Sequence, residues 1–256
     1  MRTALDFAER HGAVTRIRRR DRSVDHVATG KLAIAQFRHV TARATASGMP
    51  APQLHTHNVV CNMTQDENGQ WRSLHSKPLF DLQMAIGAVY HQELAAQAIR
   101  LGYSAAFASN GTFELDGVPD DVLRAFSERS AQIEAELEAR GKTRATATAA
   151  EKNTLALATR LPKRHFDHTT LASTWRAEAD ALGFDETARR ALVTQARNRA
   201  ATIPGHGNEA RRTAADRAVA FAAAKLSERD ATFSAAELAK DAAIATRGRA
   251  THADVT

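Results

Sequence analysis

A chain of 256 residues is long enough to bury a core and to form one large domain, or one domain with an appendage. Its 43% hydrophobic and 25% charged residues are ordinary for a globular protein, and its single cysteine, Cys61, excludes a disulfide framework and a cysteine-rich metal site. A net charge of +6 permits a polyanionic partner without requiring one, and no apolar run approaches the length of a membrane span. The opening residues have no apolar signal core, so a reducing, cytoplasmic location is expected.

The chain opens on an amphipathic helix with Leu5, Ala8 and Gly12 on one side. A basic run follows, Arg16, Arg18, Arg19, Arg20 and Arg22, opposed only by Asp21. It reads as a solvated surface, with DNA phosphate contact as the alternative. Residues 31–40, KLAIAQFRHV, suit a strand. After a loop containing Gly48, Pro50 and Pro52, residues 53–64, QLHTHNVVCNMT, read as a buried strand with Cys61 in the core. Asn68-Gly69 and Asn110-Gly111 each lie between short extended runs and predict type I′ hairpins. Trp71, just after the first, is read as packing, with base stacking as the alternative. Between the hairpins, Leu79, Leu82, Ile86, Val89 or Tyr90, Leu94, Ala98 and Leu101 keep helical spacing up to Gly102. A second helix is expected over 119–140, with Val122, Phe126, Ile133 and Leu137 on one face.

The character then changes. Residues 142–164 carry six Lys or Arg against one acid, Glu151, and read as a basic mobile connector. Helices follow, marked by Leu171, Trp175 and Leu182, then over 186–201, with a break at IPGHGN. Ser234 and Glu237 are spaced as a capping box opening a last helix. The expected class is α+β: an antiparallel sheet flanked by helices, then a mostly helical C-terminal region. The expected division is 1–141, a connector at 142–164, and 165–256.

His55 and His57 flank Thr56 on a strand, so their side chains share a face with Cα atoms about 7 Å apart. His39 ends the preceding strand and can add a third imidazole if the two strands are neighbours. Three neutral nitrogens would leave coordination positions open for water or substrate, as in catalytic sites. Imidazoles suit Zn, Mn, Ni or Co better than Ca.

The stretches TGKLAIAQFRHVTAR, PQLHTHNVVCNMTQDENGQWRSL, GAVYHQELAAQAIRLGY and GTFELDGVPDDVLRAFSERSAQI resemble the relaxase domain of MobF-type (TrwC-like) conjugative relaxases. LSERDATFSAAEL resembles the segment leading to that family's helicase region. The resemblance implies a divalent metal (Mg, Mn, Zn or Ni) held by His39, His55 and His57. It also implies single-stranded DNA as substrate, and a tyrosine nucleophile that leaves a phosphotyrosyl link at a transfer origin. Arg43, in the segment His39-x-Thr41-x-Arg43, is a candidate phosphate contact, joined by Arg16, Arg18, Arg19 and Arg20.

In that family the nucleophilic tyrosines, a carboxylate and a strand lie upstream of the matching stretches. The only tyrosines here, Tyr90 and Tyr103, fall at scaffold positions. The expectation is therefore a relaxase fragment without a catalytic residue of its own, inactive alone. Its unpaired sheet edge is expected to leave the isolated protein marginal, aggregating, or completed by another polypeptide supplying the missing segment. No Gly-x-x-x-x-Gly-Lys-Ser/Thr loop occurs. The alternatives are a non-catalytic DNA-binding or remnant protein and, less well supported, an amidohydrolase-like metal hydrolase. The helical second half offers no further ligand-bearing strands for the hydrolase.

Overall fold

The computed structural model describes residues 1–45, 48–159, 166–202 and 207–256. Its elements in chain order are α1 (Arg2–Gly12), β1 (Val14–Arg18), β2 (Val24–Ala28), β3 (Ile34–Thr41), β4 (Pro52–Val60), β5 (Thr64–Gln65), β6 (Trp71–Arg72), α2 (Lys77–Asp81), α3 (Gln83–Arg100), β7 (Ala105–Phe107), β8 (Phe113–Leu115), α4 (Asp120–Ala125), α5 (Glu128–Glu138), α6 (Ala149–Ala158), α7 (His168–Ala181), α8 (Glu186–Thr202), α9 (Asn208–Ser227), α10 (Ala235–Thr246) and α11 (His252–Val255). The class is α+β, as expected. The described strands pair two by two, β1 with β2, β3 with β4, β5 with β6 and β7 with β8. No described helix is long and apolar enough to cross a membrane.

The residues form two units, each assembled from separated stretches of sequence. One contains Met1–Ala35, Val59–Asp116 and Val193–Thr256; the other contains Gln36–Asn58 and Gly117–Leu192. This interleaving differs from the linear division expected from composition. Composition follows chain neighbours, whereas packing joins segments far apart in sequence.

In the first unit, α1 buries Ala4, Phe7, Ala8 and Gly12, while Leu5 is only half-buried. Ala4 and Phe7 pack with Leu82, Ala85 and Val89, and Tyr90 leans on the same cluster. The helix expected over 79–101 is present but breaks at Leu82 into α2 and α3. Ala215, Ala218 and Ala222 of α9 and Ala242 and Ala243 of α10 are buried, so small side chains allow these helices close approach in a chain poor in aromatics. Ser234 and Glu237 make the expected reciprocal capping box on α10.

The basic run lies on the β1–β2 hairpin, and its arginines are exposed. Arg16 lies opposite His26, Arg18 lies opposite Val24, and Arg19 pairs with Asp25. Both Asn-Gly hairpins form, but not with type I′ geometry: Gly69 (φ +77°) and Gly111 (φ +84°) are left-handed, while their asparagines are not. The side chain of Asp66 organises the first loop. Its Oδ1 accepts from the backbone N–H of Asn68 (3.0 Å) and Gln70 (2.9 Å), and its Oδ2 accepts from Arg72 at 2.9 Å. The Arg72 bond, and then these backbone donors, hold its carboxyl below the usual range.

The last short helix is held to the same unit by polar contacts. Gln92 Nε2 donates to the Ala250 carbonyl at 3.1 Å, and the His252 backbone N–H donates to Glu93 Oε1 at 2.6 Å. The His252 ring, 6% exposed, meets Phe7 edge-on at 5.3 Å. Burial lowers its pKa below the ordinary 6.5, opposed by Glu93 of α3 and reinforced by Arg10 and His11 of α1. The unfolded chain therefore binds a proton that the folded chain refuses. The associated stability is fully present above the unfolded value and is lost as pH falls from 6.5 toward the lower folded value. The expected outcome is a urea midpoint that drops between about pH 7.5 and about pH 5.5, with a shallower drop in His252→Gln. His11, His75 and His91 shift the same way, so some pH dependence remains in the variant.

In the second unit, the helix expected over 119–140 is two helices, α4 and α5, separated at Phe126 and Ser127. Leu137, Ala147 and Leu155 form a buried cluster with Ile133 against it. Leu155 belongs to α6, so the described part of 142–164 is not an unstructured connector. The Thr148 hydroxyl and the Glu151 carboxylate make a capping box that starts α6. Lys142 and Thr148 together push the Glu151 carboxyl down to about 2. The composition-based reading missed this helix because Ala- and Thr-rich sequence lacks a strong apolar period. Residues 160–164 of the expected connector, Ile203, Pro204, Gly205 and His206 of the expected break, and His165 lie outside the described residues.

Candidate metal centre

β3 and β4 run antiparallel. The Ala42 N–H donates to the Ala51 carbonyl at the loop end, and the Cys61 N–H donates to the Ala33 carbonyl at the open end, both at 2.8 Å. Strand alternation puts His55 and His57 on one face of β4, and pairing brings His39 of β3 to that face. Ring centroids are 5.4 Å apart for His39 and His55, 4.7 Å for His39 and His57, and 5.0 Å for His55 and His57. One nitrogen from each ring lies within 4.8 Å of the other two. His39 and His57 are exposed and His55 is half-buried, so the cluster is open to solvent. His55 Nδ1 lies 3.0 Å from the Gln53 carbonyl, a contact that orients the ring and leaves Nε2 available. Gln36 Nε2 donates to Asn58 Oδ1 at 2.8 Å across the ribbon, which fixes the register near the histidines.

Arg43 is half-buried in the segment after β3, in the same unit as the histidines. Arg16, Arg18, Arg19 and Arg20 are exposed and belong to the other unit. Cys61 is exposed rather than in the core, because β4 ends at Val60 and strand alternation does not reach it. Trp71 is 63% exposed, not packed. Tyr90 and Tyr103 are half-buried in the first unit. Two features escaped the sequence reading. The Gln53 carbonyl could have been suspected from its i−2 position to His55. The ring pair of His26 and His75, 4.8 Å apart, depends on a bridge between Thr15 and Leu74 that no local pattern signals.

The family model described as TrwC relaxase matches residues 1–182. The multifunctional conjugation protein TraI of Escherichia coli (strain K12) is 34% identical over 243 residues, covering 90% of this chain and 13% of that protein. The conjugative relaxase TrwC in complex with oriT DNA, in a metal-free structure, is similar with a TM-score of 0.66 and 33% identity, over 72% of this chain and 62% of that one. A metal-bound structure of the same kind of complex gives a TM-score of 0.65 at 33% identity, over 72% of this chain and 61% of that one. This chain thus spans only a small part of the curated relative it matches. With the family model covering well over half of its residues, the chain belongs to the TrwC relaxase family.

Proposed function

We propose that this chain provides the metal-binding half of a conjugative relaxase site that acts on single-stranded DNA at a transfer origin. The observation that carries the reading is the convergence of His39, His55 and His57 on one face of a two-stranded ribbon. The donor set fits a divalent cation: three neutral imidazoles, one of them oriented by a backbone carbonyl, with solvent access for further ligands. When bound there, such a cation supplies Lewis-acid polarisation of a phosphate oxygen. The three histidines hold it, and Arg43 neutralises an adjacent phosphate. Arg16, Arg18, Arg19 and Arg20 add salt-sensitive affinity for the strand.

The nucleophile in this reading is a tyrosine from outside these residues. Tyr90 packs against the Val89 cluster, and its role is structural. A polypeptide bearing the nucleophile would complete the reaction.

Fluorescence anisotropy of a labelled oligonucleotide tests the proposal. Single-stranded DNA is expected to bind more tightly with divalent metal than with chelator, and that difference should vanish in His55→Ala/His57→Ala. No covalent protein–DNA adduct is expected from the chain alone. Equal binding with and without metal would support the non-catalytic DNA-binding reading instead. An adduct lost in Tyr90→Phe or Tyr103→Phe would overturn the assignment of the nucleophile.

A further inference from the structure

The second unit contains a cavity of about 570 Å³ whose wall includes Pro52, Val122, Phe126, Trp175, Arg176 and Phe184. Its volume is in the range of small-ligand sites. We infer that it seats one unstacked nucleobase of a bound single strand, with Arg176 on the adjoining phosphate. This rests on the reading of the chain as a single-strand DNA relaxase.

The polar inventory of the cavity supports this ligand class. Trp175 Nε1–H donates to the Pro50 carbonyl at 2.8 Å, so what Trp175 offers the cavity is apolar. The Ser127 hydroxyl donates to the Leu123 carbonyl at 2.6 Å. Arg189 is held by Asp180 at 2.8 Å and by the Phe184 carbonyl. Arg176 is exposed and has no hydrogen bond or ion pair among the described residues. The result is an aromatic, apolar slot with one uncommitted guanidinium. Its complement is a flat ring that stacks through its apolar face and carries one anionic group, as a nucleotide does. Base stacking on aromatic side chains with an arginine on the backbone is how single strands are held without duplex geometry.

Position adds to the argument. Pro52 lines the cavity and opens β4, three residues before His55, or roughly 10 Å along the strand. A short run of nucleotides can occupy the cavity and the histidine face together.

The chain's only tryptophans are Trp71 and Trp175, so a Trp71→Phe background makes Trp175 the sole indole reporter. In that background a labelled single-stranded oligothymidylate is titrated while DNA anisotropy and indole emission are followed together. The expected result is Trp175 quenching that saturates with the anisotropy. Filling the cavity at Ala172, which also lines it, with Ala172→Leu, or reversing the charge with Arg176→Glu, should weaken binding roughly ten-fold. The quenching arm uses an intact cavity, so it remains decisive if Ala172→Leu fails to fold. Normal binding with unmoved emission and unchanged affinity in Arg176→Glu would overturn the cavity assignment and leave the relaxase reading intact. No anisotropy change at all would overturn the single-strand reading itself. Equal quenching by duplex DNA would overturn the assignment to an unstacked base.

Discussion

Alanine at both His55 and His57 lowers the affinity of the chain for divalent metal by more than about 100-fold, since loss of a mere supporting contact already costs 10–100-fold. One imidazole, His39, remains, and a lone exposed histidine holds Zn²⁺ or Mn²⁺ no better than any surface histidine. The fold should be unaffected. His57 is exposed, His55 is half-buried, and the register of the ribbon rests on backbone pairing and on Gln36 with Asn58. Calorimetric metal titration with circular dichroism as the folding control checks both statements. Unchanged affinity in the double variant would show that the cluster is not a metal site.

Replacing Gly102 by alanine destabilises the first unit on the order of 3 kcal/mol, from a steric and a conformational contribution. Gly102 ends α3 in the left-handed region at φ +87°, and a Cβ there would sit 1.9 Å from the Ala196 carbonyl oxygen and 2.7 Å from the Ala200 nitrogen of α8. Both obstacles are backbone, so relief requires the helix end and α8 to separate. Gly30, also left-handed at φ +61°, has nothing within 4 Å of its would-be Cβ. Gly30→Ala isolates the conformational part, about 1 kcal/mol. Urea denaturation of the two variants separates the contributions, and equal losses would contradict the packing described.

The shared face of the histidines was more legible in the sequence than the division into units, for physical reasons visible in particular residues. The side-chain period of a strand is short-range, so the shared face of His55 and His57 follows from three consecutive residues. The addition of His39 needs only that neighbouring strands pair. Helix stops at Gly102, Gly141 and Gly183 were readable because a left-handed terminus selects glycine, and all three have positive φ. Asn-Gly located both hairpins but not their turn type, which at the first was set by Asp66, a buried carboxylate two residues before Asn68. α6 was hidden by its Ala- and Thr-rich composition, although Thr148 and Glu151 were spaced to cap it. The interleaving of the two units was beyond any local pattern. It depends on which distant segments pack, as when Trp175 reaches the carbonyl of Pro50.

X-ray absorption spectroscopy of the Zn²⁺-loaded chain tests the central claim most directly, because it reads the ligands rather than the affinity. The account predicts a first shell containing three imidazole nitrogens at about 2.0–2.1 Å, completed by light oxygen donors, and loss of the imidazole multiple scattering in His55→Ala/His57→Ala. A shell of oxygens alone, or one imidazole contribution unchanged between the two proteins, would contradict it.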